Sequence, residues 1–481
     1  SNQYFFITQR GRGSYVGATT PARLTGDGDR LRILAHLAWP AIIEQILGTM
    51  VSYVDTGMVG VLGATSTAAV AINAASIWLV NGTLAGIGVG YSVQVANAIG
   101  AGDPEQARRV IRQAVLATAA AGLAVLAVFQ LLASYIPVWL GAKPEVLPYA
   151  VEYLRFYSLG LPFAAAVSVF SSILRCMGDT KRPLLFNTAA NLLNIVFNFF
   201  LIYETRPVSL LGRTVTIPGA GLGVAGAAIA SAMALAAAGV LTFRAAFDRR
   251  REIHIEWGED FHPDRAIIRQ AAHLGVPYIA ERATINLGQV AMTFVVAKLG
   301  TVALAANHIA TTAEGLCYLP AYGISFAATA LVGQSVGAKN REDARAYGTL
   351  AGIAGFLLCS ATGLALFFLA RPLAGLFTTD QAVIDQAALV LRIVSVSEPF
   401  FAAFIVLSGA LRGAHDVRFP MFLALFCMWG VRVVCAPILV FVLDVGLAGV
   451  WTAMAADLIF RGVLCAFRWK SGRWVAKAGL E

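Results

Sequence analysis

Two acidic side chains interrupt an apolar stretch near the start of the chain. Glu44 and Asp55 lie inside the segment LAWPAIIEQILGTMVSYVDTGMVGVL, residues 37–62. On an α-helix, a separation of eleven residues returns to nearly the same face, about 16 Å further along. An acid that faces lipid costs several kcal/mol, so both should face a protein or water-filled interior, where desolvation favours the protonated form. The spacing predicts a site for a proton or a cation, with structural acids as the alternative.

A second polar stripe lies in the segment NTAANLLNIVFN. Asn187, Asn191, Asn194 and Asn198 follow one another at spacings of four, three and four residues, so they share one face of a helix. Amides inside a membrane helix need hydrogen-bond partners. The stripe therefore predicts either a hydrated cavity or a polar contact that joins this helix to its neighbours.

The composition is typical of a polytopic membrane protein. Hydrophobic residues make up 58% of the 481 residues and charged residues only 13%, whereas soluble domains carry about 25% charged residues. Apolar runs of about 20 residues are long enough to cross a bilayer. We find twelve such runs: approximately 33–62, 68–99, 110–140, 148–173, 184–204, 222–246, 266–298, 302–336, 346–376, 384–410, 420–443 and 446–468.

Basic residues are concentrated in every second connection between these runs. Arg108 and Arg109 follow the second run, Arg249 and Arg250 follow the sixth, and Lys470 lies near the end of the chain. Cytoplasmic loops of membrane proteins carry an excess of Lys and Arg. We therefore predict a multi-pass protein of the cell membrane with both termini in the cytoplasm. This distribution accounts for the net charge of +9 without nucleic acid as a partner.

The chain repeats itself at an offset of 237 residues. Glu281 repeats Glu44, and the segment LRGAHDVRFP repeats LRCMGDTKRP. An even number of spans in each half preserves the chain direction. The fold prediction is an all-α polytopic membrane protein whose twelve transmembrane helices form two parallel-repeat six-helix bundles. Its segments are a cytoplasmic tail (1–32), an N-lobe (33–247), a cytoplasmic linker (248–265), a C-lobe (266–470) and a second cytoplasmic tail (471–481).

The second half departs from the first in charge. Met292 stands at the position equivalent to Asp55, and Arg282 follows Glu281 directly. Glu281 is a secondary candidate for the cation site, as are Glu44, Asn187, Asn191 and Gln289; the alternative is that Arg282 or Arg432 neutralises Glu281, which would make this acid structural. Weaker candidates for polar sites in this half are Gln289, Glu314, Glu398 and Asp457.

The sequence contains no signature of an enzyme or of a resident cofactor. It has no Gly-rich phosphate loop, nucleophile elbow or zinc motif, and its six cysteines lack the spacing of metal ligands. We therefore predict no enzymatic activity, no cofactor and no metal. Without a phosphate loop, an ion gradient remains as the energy source for any transport.

Several segments together resemble the multidrug and toxic compound extrusion (MATE) family of transporters. They are WPAIIEQILGTMVSYVDTGMVGVLG, IGAGDPEQARR, LRCMGDTKRP, PAYGISFAATALVGQSVGA and GLGVAGAAIAS, within about residues 33 to 468. The resemblance implies a V-shaped pair of six-helix lobes. It also implies that the protein exports organic cations or other amphipathic toxins in exchange for Na⁺ or H⁺.

The resemblance, which is closest to the DinF-type branch, also implies roles for individual residues. Asp55 matches the acid that is tied to cation coupling, and Pro40 matches the proline at which the first span bends. Asn194, Asn198 and Ser231 match polar residues of the same N-lobe site. Because Asn198 stands where many members have an acid, the site has one carboxylate fewer, and H⁺ is favoured over Na⁺ as the coupling ion.

The resulting hypothesis is a monomeric H⁺-coupled antiporter, with Na⁺ as the alternative ion and small organic cations as substrates, in contact with membrane lipid. Protonation of Asp55 would bend the first span at Pro40 and release the drug. The first alternative is a flippase for lipids or lipid-linked glycans, which predicts a strongly cationic central cavity; the spans contain almost no Lys. The second alternative is a receptor or scaffold without transport.

Overall fold

The computed structural model of the protein describes residues 27–210, 213–249, 253–256, 258–259 and 261–481. We call the helices before the linker the N-lobe and those after it the C-lobe. The N-lobe contains α1 (Asp27–Gly60), α2 (Ala64–Gly100), α3 (Pro104–Leu132), α4 (Ile136–Trp139), α5 (Leu147–Ser158), α6 (Leu161–Cys176), α7 (Lys181–Leu201) and α8 (Gly223–Ala245).

The C-lobe repeats this order. It contains α9 (Arg265–Ala297), α10 (Thr301–Gly337), α11 (Arg341–Gly375), α12 (Gln381–Ser395), α13 (Glu398–Gly413), α14 (Arg418–Leu425), α15 (Val433–Pro437), α16 (Leu447–Lys470) and α17 (Trp474–Lys477). Two π-helical segments, Phe426–Arg432 and Ile438–Val442, lie on either side of α15.

These helices account for the twelve predicted spans. In the described ranges, nine helical segments are long and apolar enough to cross a membrane, and two bent pairs raise the number to eleven. The twelfth is α9, whose 33 residues measure about 50 Å. Glu281 and Arg282 lie at its centre, and charged residues of this kind lower the mean hydropathy of a span.

The fourth and tenth spans are broken, whereas the sequence predicted one continuous run for each. The axes of α5 and α6 differ by 50°, and those of α12 and α13 by 53°. Pro162 and Pro399 occupy the second position of the helix after each break, where a missing N–H costs least because that donor has no partner within the helix. Both breaks fall at equivalent positions of the repeat.

The helical fold also contains a β-hairpin that the sequence did not predict. Strands β1 (Glu204–Leu210) and β2 (Arg213–Ala220) pair antiparallel between α7 and α8. Most of this segment has no counterpart in the second half of the chain. Its Val, Thr and Ile residues favour extended backbone over helix.

Both ends of the described chain are helical. Helix α1 begins at Asp27, earlier than the predicted boundary, and residues 1–26 lie outside the described residues. Asp27 and Asp29 occupy its first turn, where the helix dipole stabilises negative charge. At the other end, Trp474 of α17 is buried and stacks on Trp469 at 4.5 Å between ring centroids. The final segment therefore packs against the C-lobe.

We call one end of the bundle the basic face, because the helices that start there carry cations at or near their first residues. Examples are Arg108, Lys181, Arg265, Arg341 and Arg418, near the starts of α3, α7, α9, α11 and α14. Both α1 and α9 begin at this end, and α17 lies near it. The sequence predicts that this face is cytoplasmic.

At the basic face, α2 and α10 cross with no side chain between them. Gly100 ends α2 and Gly337 ends α10, and the two glycines are equivalent in the repeat. A Cβ at Gly100 would overlap the carbonyl O of Gln334, and a Cβ at Gly337 would overlap that of Asn97. Only glycine permits this approach of the two backbones.

Polar side chains join the lobes at the same end. Asn97 Nδ2 donates to His415 Nε2, and Gln334 Nε2 donates to the carbonyl O of Cys176 at 2.8 Å. Burial lowers the pKa of His415, which favours the neutral ring with one nitrogen free to accept. Further out, Arg30 Nη2 lies 2.7 Å from Asp343 Oδ1. These contacts hold the lobes together at the basic face.

Gly337→Ala is expected to destabilise the protein by about 1–3 kcal/mol, the usual range for overpacking. The new methyl group would force α2 and α10 apart, because backbone rather than a flexible side chain occupies its place. Thermal unfolding in detergent measures the effect as a lower Tm. Gly57→Ala in α1 is the control, since nothing lies within 4 Å of its Cβ position. Equal Tm values for both variants would contradict a tight crossing.

Candidate functional site

Asp55 lies at one end of a chain of hydrogen bonds that links three helices. Asn198 Nδ2 donates to Asp55 Oδ1 and to Asn194 Oδ1 at 3.0 Å. Asn194 Nδ2 in turn donates to Ser231 Oγ at 3.2 Å. The structure therefore brings together all four residues that the sequence assigned to cation coupling, on α1, α7 and α8. We call these four residues the Asp55 cluster.

The Asp55 cluster has one ionisable member, and the other three offer amide and hydroxyl groups. Asn198 is fully buried, and its Oδ1 has no hydrogen-bond partner in the structure. Within the described ranges, no group of three or more His, Cys, Asp or Glu side chains could hold a metal ion. One carboxylate among neutral acceptors suits exchange of a single proton better than tight binding of a hard cation.

Two tyrosines lie beside the Asp55 cluster, and the sequence analysis did not predict them as part of the site. Tyr153 and Tyr157 of α5 stack at 5.7 Å between ring centroids, and both interact electrostatically with the charge of Asp55. Their four-residue spacing places them on one helix face. That spacing is the sequence feature from which the pair could have been predicted, although two aromatic residues at helical spacing usually indicate packing.

Glu44 is held by an ion pair inside the N-lobe. Arg175 Nη2 lies 2.7 Å from Glu44 Oε1, and Asn187 Nδ2 donates to the same oxygen at 2.6 Å. Both charged side chains are buried. Glu44 therefore has a partner that neutralises it, whereas Asp55 has only an amide.

The two acids contact the asparagine stripe in matching register. Glu44 with Asn187 and Asp55 with Asn198 are both separated by 143 residues, because α1 and α7 run parallel. Asn191 lies between these contacts and is partly exposed, with no hydrogen bond among the described residues. The stripe thus joins α7 to α1 at two levels.

Glu281 forms its ion pair with neither Arg282 nor Arg432, although its charge also acts on the adjacent Arg282. Arg412 Nη2 lies 2.9 Å from Glu281 Oε1, and Glu281 is buried. The sequence interpretation missed this partner because it assigned Arg412 to a basic connection, although α13 carries the residue in its last turn. Glu281 is therefore neutralised by an arginine from a different helix.

The same ion pair occurs in both lobes. Arg412 and Glu281 stand at the repeat offset of 237 residues from Arg175 and Glu44. In each lobe the arginine lies in the last turn of the second helix of the broken span and reaches the acid of the first helix. The pairing is thus a shared structural feature of the two halves.

A second charged cluster lies deep in the C-lobe. Asp457 is fully buried and lies 2.7 Å from Arg432 Nε and 2.6 Å from Arg461 Nε. The π-helical segment Phe426–Arg432 places Arg432 next to α16. Asp457 was only a weak candidate in the sequence, yet it neutralises one of two buried arginines.

Glu314 and Glu398 are buried acids without a neutralising hydrogen bond. One oxygen of Glu314 and both oxygens of Glu398 lack any partner in the structure. The charge of Arg432 acts on Glu314, and Glu314 acts on Glu398. Both acids are therefore buried near other ionisable groups, which lie on α10, α13 and the eleventh span.

A central cavity lies between the two lobes. Gln289, Glu281 and Glu314 contribute to its wall, as do the aromatic side chains of Tyr278 and Tyr322. Five arginines also line it: Arg175, Arg282, Arg412, Arg432 and Arg461. The scarcity of Lys in the spans is therefore no argument against a cationic cavity, since arginine supplies the charge. Its volume of about 130 Å³ is below the roughly 300 Å³ at which sites for drug-sized ligands begin.

Pro40 lies inside α1, which continues without a break from Asp27 to Gly60. A proline ring cannot donate the backbone hydrogen bond to the residue four positions earlier, which is His36 here. The helix is therefore weaker at this position than elsewhere. The bend at Pro40 that the family resemblance implies stays a prediction.

The chain matches the family model MatE over residues 40–200 and 277–438, and these two ranges start at the repeat offset of 237. It is 29% identical over 448 residues to a probable multidrug resistance protein NorM of Thermotoga maritima, covering 93% of this chain and 94% of that protein. It is 30% identical over 410 residues to the multidrug resistance protein PmpM of Pseudomonas aeruginosa, covering 83% of this chain and 82% of that protein.

Solved structures share the fold at lower identity. A MATE crystal structure in the straight conformation superposes with a TM-score of 0.85 at 24% identity, covering 94% of this chain and 97% of that one. A second structure is that of a MOP superfamily transporter from Pyrococcus furiosus, for which reverse polarity of the binding pocket suggests a different function. It superposes with a TM-score of 0.84 at 24% identity, covering 93% of this chain and 96% of that one. The twelve-helix, two-lobe fold and the matched ranges show that this chain belongs to the MatE family of multidrug efflux transporters.

Proposed function

We propose that this protein is an H⁺-coupled antiporter that exports organic cations and other amphipathic compounds across the cell membrane. The observation that carries the proposal is the Asp55 cluster, where one carboxylate is the single ionisable group of a partly buried chain of hydrogen bonds. The protein acts as a monomer, since one chain supplies both lobes, and its basic face is cytoplasmic.

Coupling follows if the proton and the drug compete for the charge of Asp55. With the basic face in the cytoplasm, the contacts that join the lobes close the cytoplasmic side. A proton from outside then neutralises Asp55, so that a bound cation loses its counter-charge and leaves. The change in charge also removes the acceptor that holds Asn198, and α1 can bend at Pro40. Return of the proton to the cytoplasm restores the binding state.

The coupling ion is tested by export of ethidium from vesicles that carry either a pH gradient or a Na⁺ gradient. We expect ethidium to move with the pH gradient and not with the Na⁺ gradient. Movement driven only by Na⁺ would overturn H⁺ coupling and would require more ligands than the Asp55 cluster offers.

Asn198→Asp is expected to add a Na⁺-driven component to ethidium export. The second carboxylate would lie against Asp55 and provide the negative charge that a hard cation prefers. Export driven by Na⁺ should rise from background to a rate comparable with proton-driven export. Asn191→Asp is the matched control, because it adds the same charge to the same helix without a contact to Asp55. A Na⁺ response in both variants, or in neither, would contradict this assignment.

One observation favours a second candidate, a flippase for lipids or lipid-linked glycans. The five arginines of the central cavity could hold the anionic group of a lipid intermediate. Absence of ethidium export under both gradients, together with proton-independent movement of a fluorescent anionic lipid between leaflets, would support this candidate. A receptor without transport is not proposed, since the named relatives are multidrug resistance proteins.

A further inference from the structure

We infer that Arg282 forms a binding site for the anionic group of an amphipathic organic anion, which extends the substrate range beyond organic cations. The site lies in the central cavity, at the middle of α9, and its ligand would be a carboxylate or sulfonate attached to an aromatic body. The inference rests on the proposed export function, because it names a second substrate class for the same transporter.

Two of the other cavity arginines are fully compensated. Arg175 is paired with Glu44, and Arg412 is paired with Glu281. In each pair one guanidinium group meets one carboxylate, and both members are shielded from solvent. The charge of each of these two arginines is therefore already neutralised by a protein carboxylate and does not require a ligand.

Arg282 lacks an ion pair in the described part of the chain, although the charge of the adjacent Glu281, which is already paired with Arg412, also acts on it. Arg432 and Arg461 both form ion pairs with the carboxylate of Asp457. Among the described residues, no carboxylate forms an ion pair with Arg282. A bound anion would supply the missing counter-charge.

Arg282 keeps donors free for a ligand. Its Nε donates to Tyr278 Oη at 3.0 Å and its Nη1 donates to Tyr322 Oη at 3.2 Å. A guanidinium group has five N–H donors, so three remain without a protein acceptor in the described part of the chain. An ionisable side chain in this position within a membrane span indicates function rather than packing, and the fork of N–H donors matches a carboxylate or sulfonate.

The surroundings of Arg282 suit an aromatic ligand. Its Cζ lies 5.3 Å from the ring centroid of Tyr278 and 5.2 Å from that of Tyr322. Both rings line the cavity, so they hold the cation and also offer apolar faces to a bound molecule. An organic cation would meet repulsion here, whereas an organic anion would gain both a counter-charge and a stacking surface.

Arg282 also lies where the two lobes meet. A Cβ on Gly82 of α2 would lie 3.2 Å from the Cβ of Arg282. Movement of the N-lobe relative to the C-lobe therefore changes the space around the guanidinium group. A ligand bound at Arg282 would be exposed or enclosed by that movement, as a transported substrate must be.

Equilibrium binding of two probes with the same aromatic body tests the inference. Isothermal titration of the full-length protein in phosphatidylcholine nanodiscs would measure 1-naphthylacetate against 1-naphthylmethylammonium. We expect Arg282→Gln to weaken binding of the naphthylacetate anion by about tenfold or more, with no loss for the cation. Arg282→Lys should retain part of the affinity, since it keeps the charge and loses the fork. Arg371→Gln, which removes an exposed arginine outside the cavity, should change neither probe.

Tyr322→Phe provides a second variant if Arg282→Gln does not fold. It removes one hydrogen bond to the guanidinium group and keeps the ring, so a several-fold loss for the anion is expected. Equal anion affinity in the wild type and the variants, or tighter binding of the cation to the wild type, would overturn the inference. Nanodiscs that contain phosphatidylglycerol distinguish the source of the anion: competition would identify a lipid headgroup, and unchanged affinity would identify a soluble compound.

The binding assay uses no ion gradient, so its result is independent of the coupling ion. Absence of proton-driven ethidium export by the wild type would contradict the proposed function, but the measured binding of the anion would remain valid. If Arg282→Gln binds the anion as tightly as the wild type does, and the wild type exports ethidium, only the inferred anion site at Arg282 would be contradicted.

Discussion

Asp55→Asn is expected to reduce proton-driven export of ethidium to the rate of protein-free vesicles. The amide keeps the size of the side chain and a hydrogen-bond acceptor for Asn198, but it can neither take up nor release a proton. Because coupling requires proton and drug to compete for one charge, the pH gradient would no longer drive the drug. The measurement is ethidium efflux from vesicles with an imposed pH gradient.

A matched variant separates this effect from a general loss of carboxylates. Asp444→Asn makes the same chemical change at an exposed residue, and its positive φ of 53° is a conformation that Asn adopts readily. This control should export at the wild-type rate. Wild-type exchange by Asp55→Asn would show that another group couples the ion, and Glu314 and Glu398 would be the next candidates.

Asp457→Asn is expected to lower the stability of the folded protein by about 3–5 kcal/mol, the usual cost of breaking a buried ion pair on one side. The substitution leaves Arg432 and Arg461, which are 3% and 1% exposed, with no full counter-charge. Both guanidinium groups would then remain desolvated in the C-lobe. Thermal unfolding in detergent should show a much lower Tm than for the wild type.

Asp385→Asn is the control for this experiment. Asp385 pairs with Arg371 at the surface, where both side chains are more than half exposed, and such a pair contributes about 0–1 kcal/mol. Adding Arg461→Met to Asp457→Asn should recover part of the stability, because it removes one of the unpaired charges. An unchanged Tm in Asp457→Asn would mean that water or Glu314 already neutralises the two arginines.

The spans, the repeat and the two acids of the first span could be predicted because each depends on local sequence. Long apolar runs define the helices, and the constant offset between Glu44 and Glu281 defines the two halves. The eleven-residue separation of Glu44 and Asp55 placed both on the face that meets α7. The grouping of Asn194, Asn198 and Ser231 with Asp55 was predicted from the family resemblance, since nothing in their own spacing places α8 beside α7.

The features that the sequence did not reveal depend on tertiary contacts. Arg175 and Arg412 lie in short basic motifs that are typical of surface connections, but the helices extend far enough to place both side chains inside the lobes. The breaks before Pro162 and Pro399 interrupt apolar runs whose hydropathy does not change. The charge of the central cavity arises from five arginines on different helices, so no single segment indicates it.

The ion pair common to both lobes has a consequence for how the chain arose. Glu44 with Arg175 and Glu281 with Arg412 are separated by the same 131 residues. Inheritance from one duplicated sequence explains two copies of the same contact at the same separation more simply than two independent origins do. The pair was therefore present in the half-length ancestor before its gene was duplicated.

The residues that differ between the halves record what followed the duplication. Asp55 is equivalent to Met292 in the repeat, and Arg282 is equivalent to Gln45. At these two positions of the first helix, each half carries an ionisable side chain that its counterpart lacks, beside the ion pair that both retain. In the proposed mechanism the first copy supplies the proton-accepting acid, and the second copy supplies the arginine that faces the cavity.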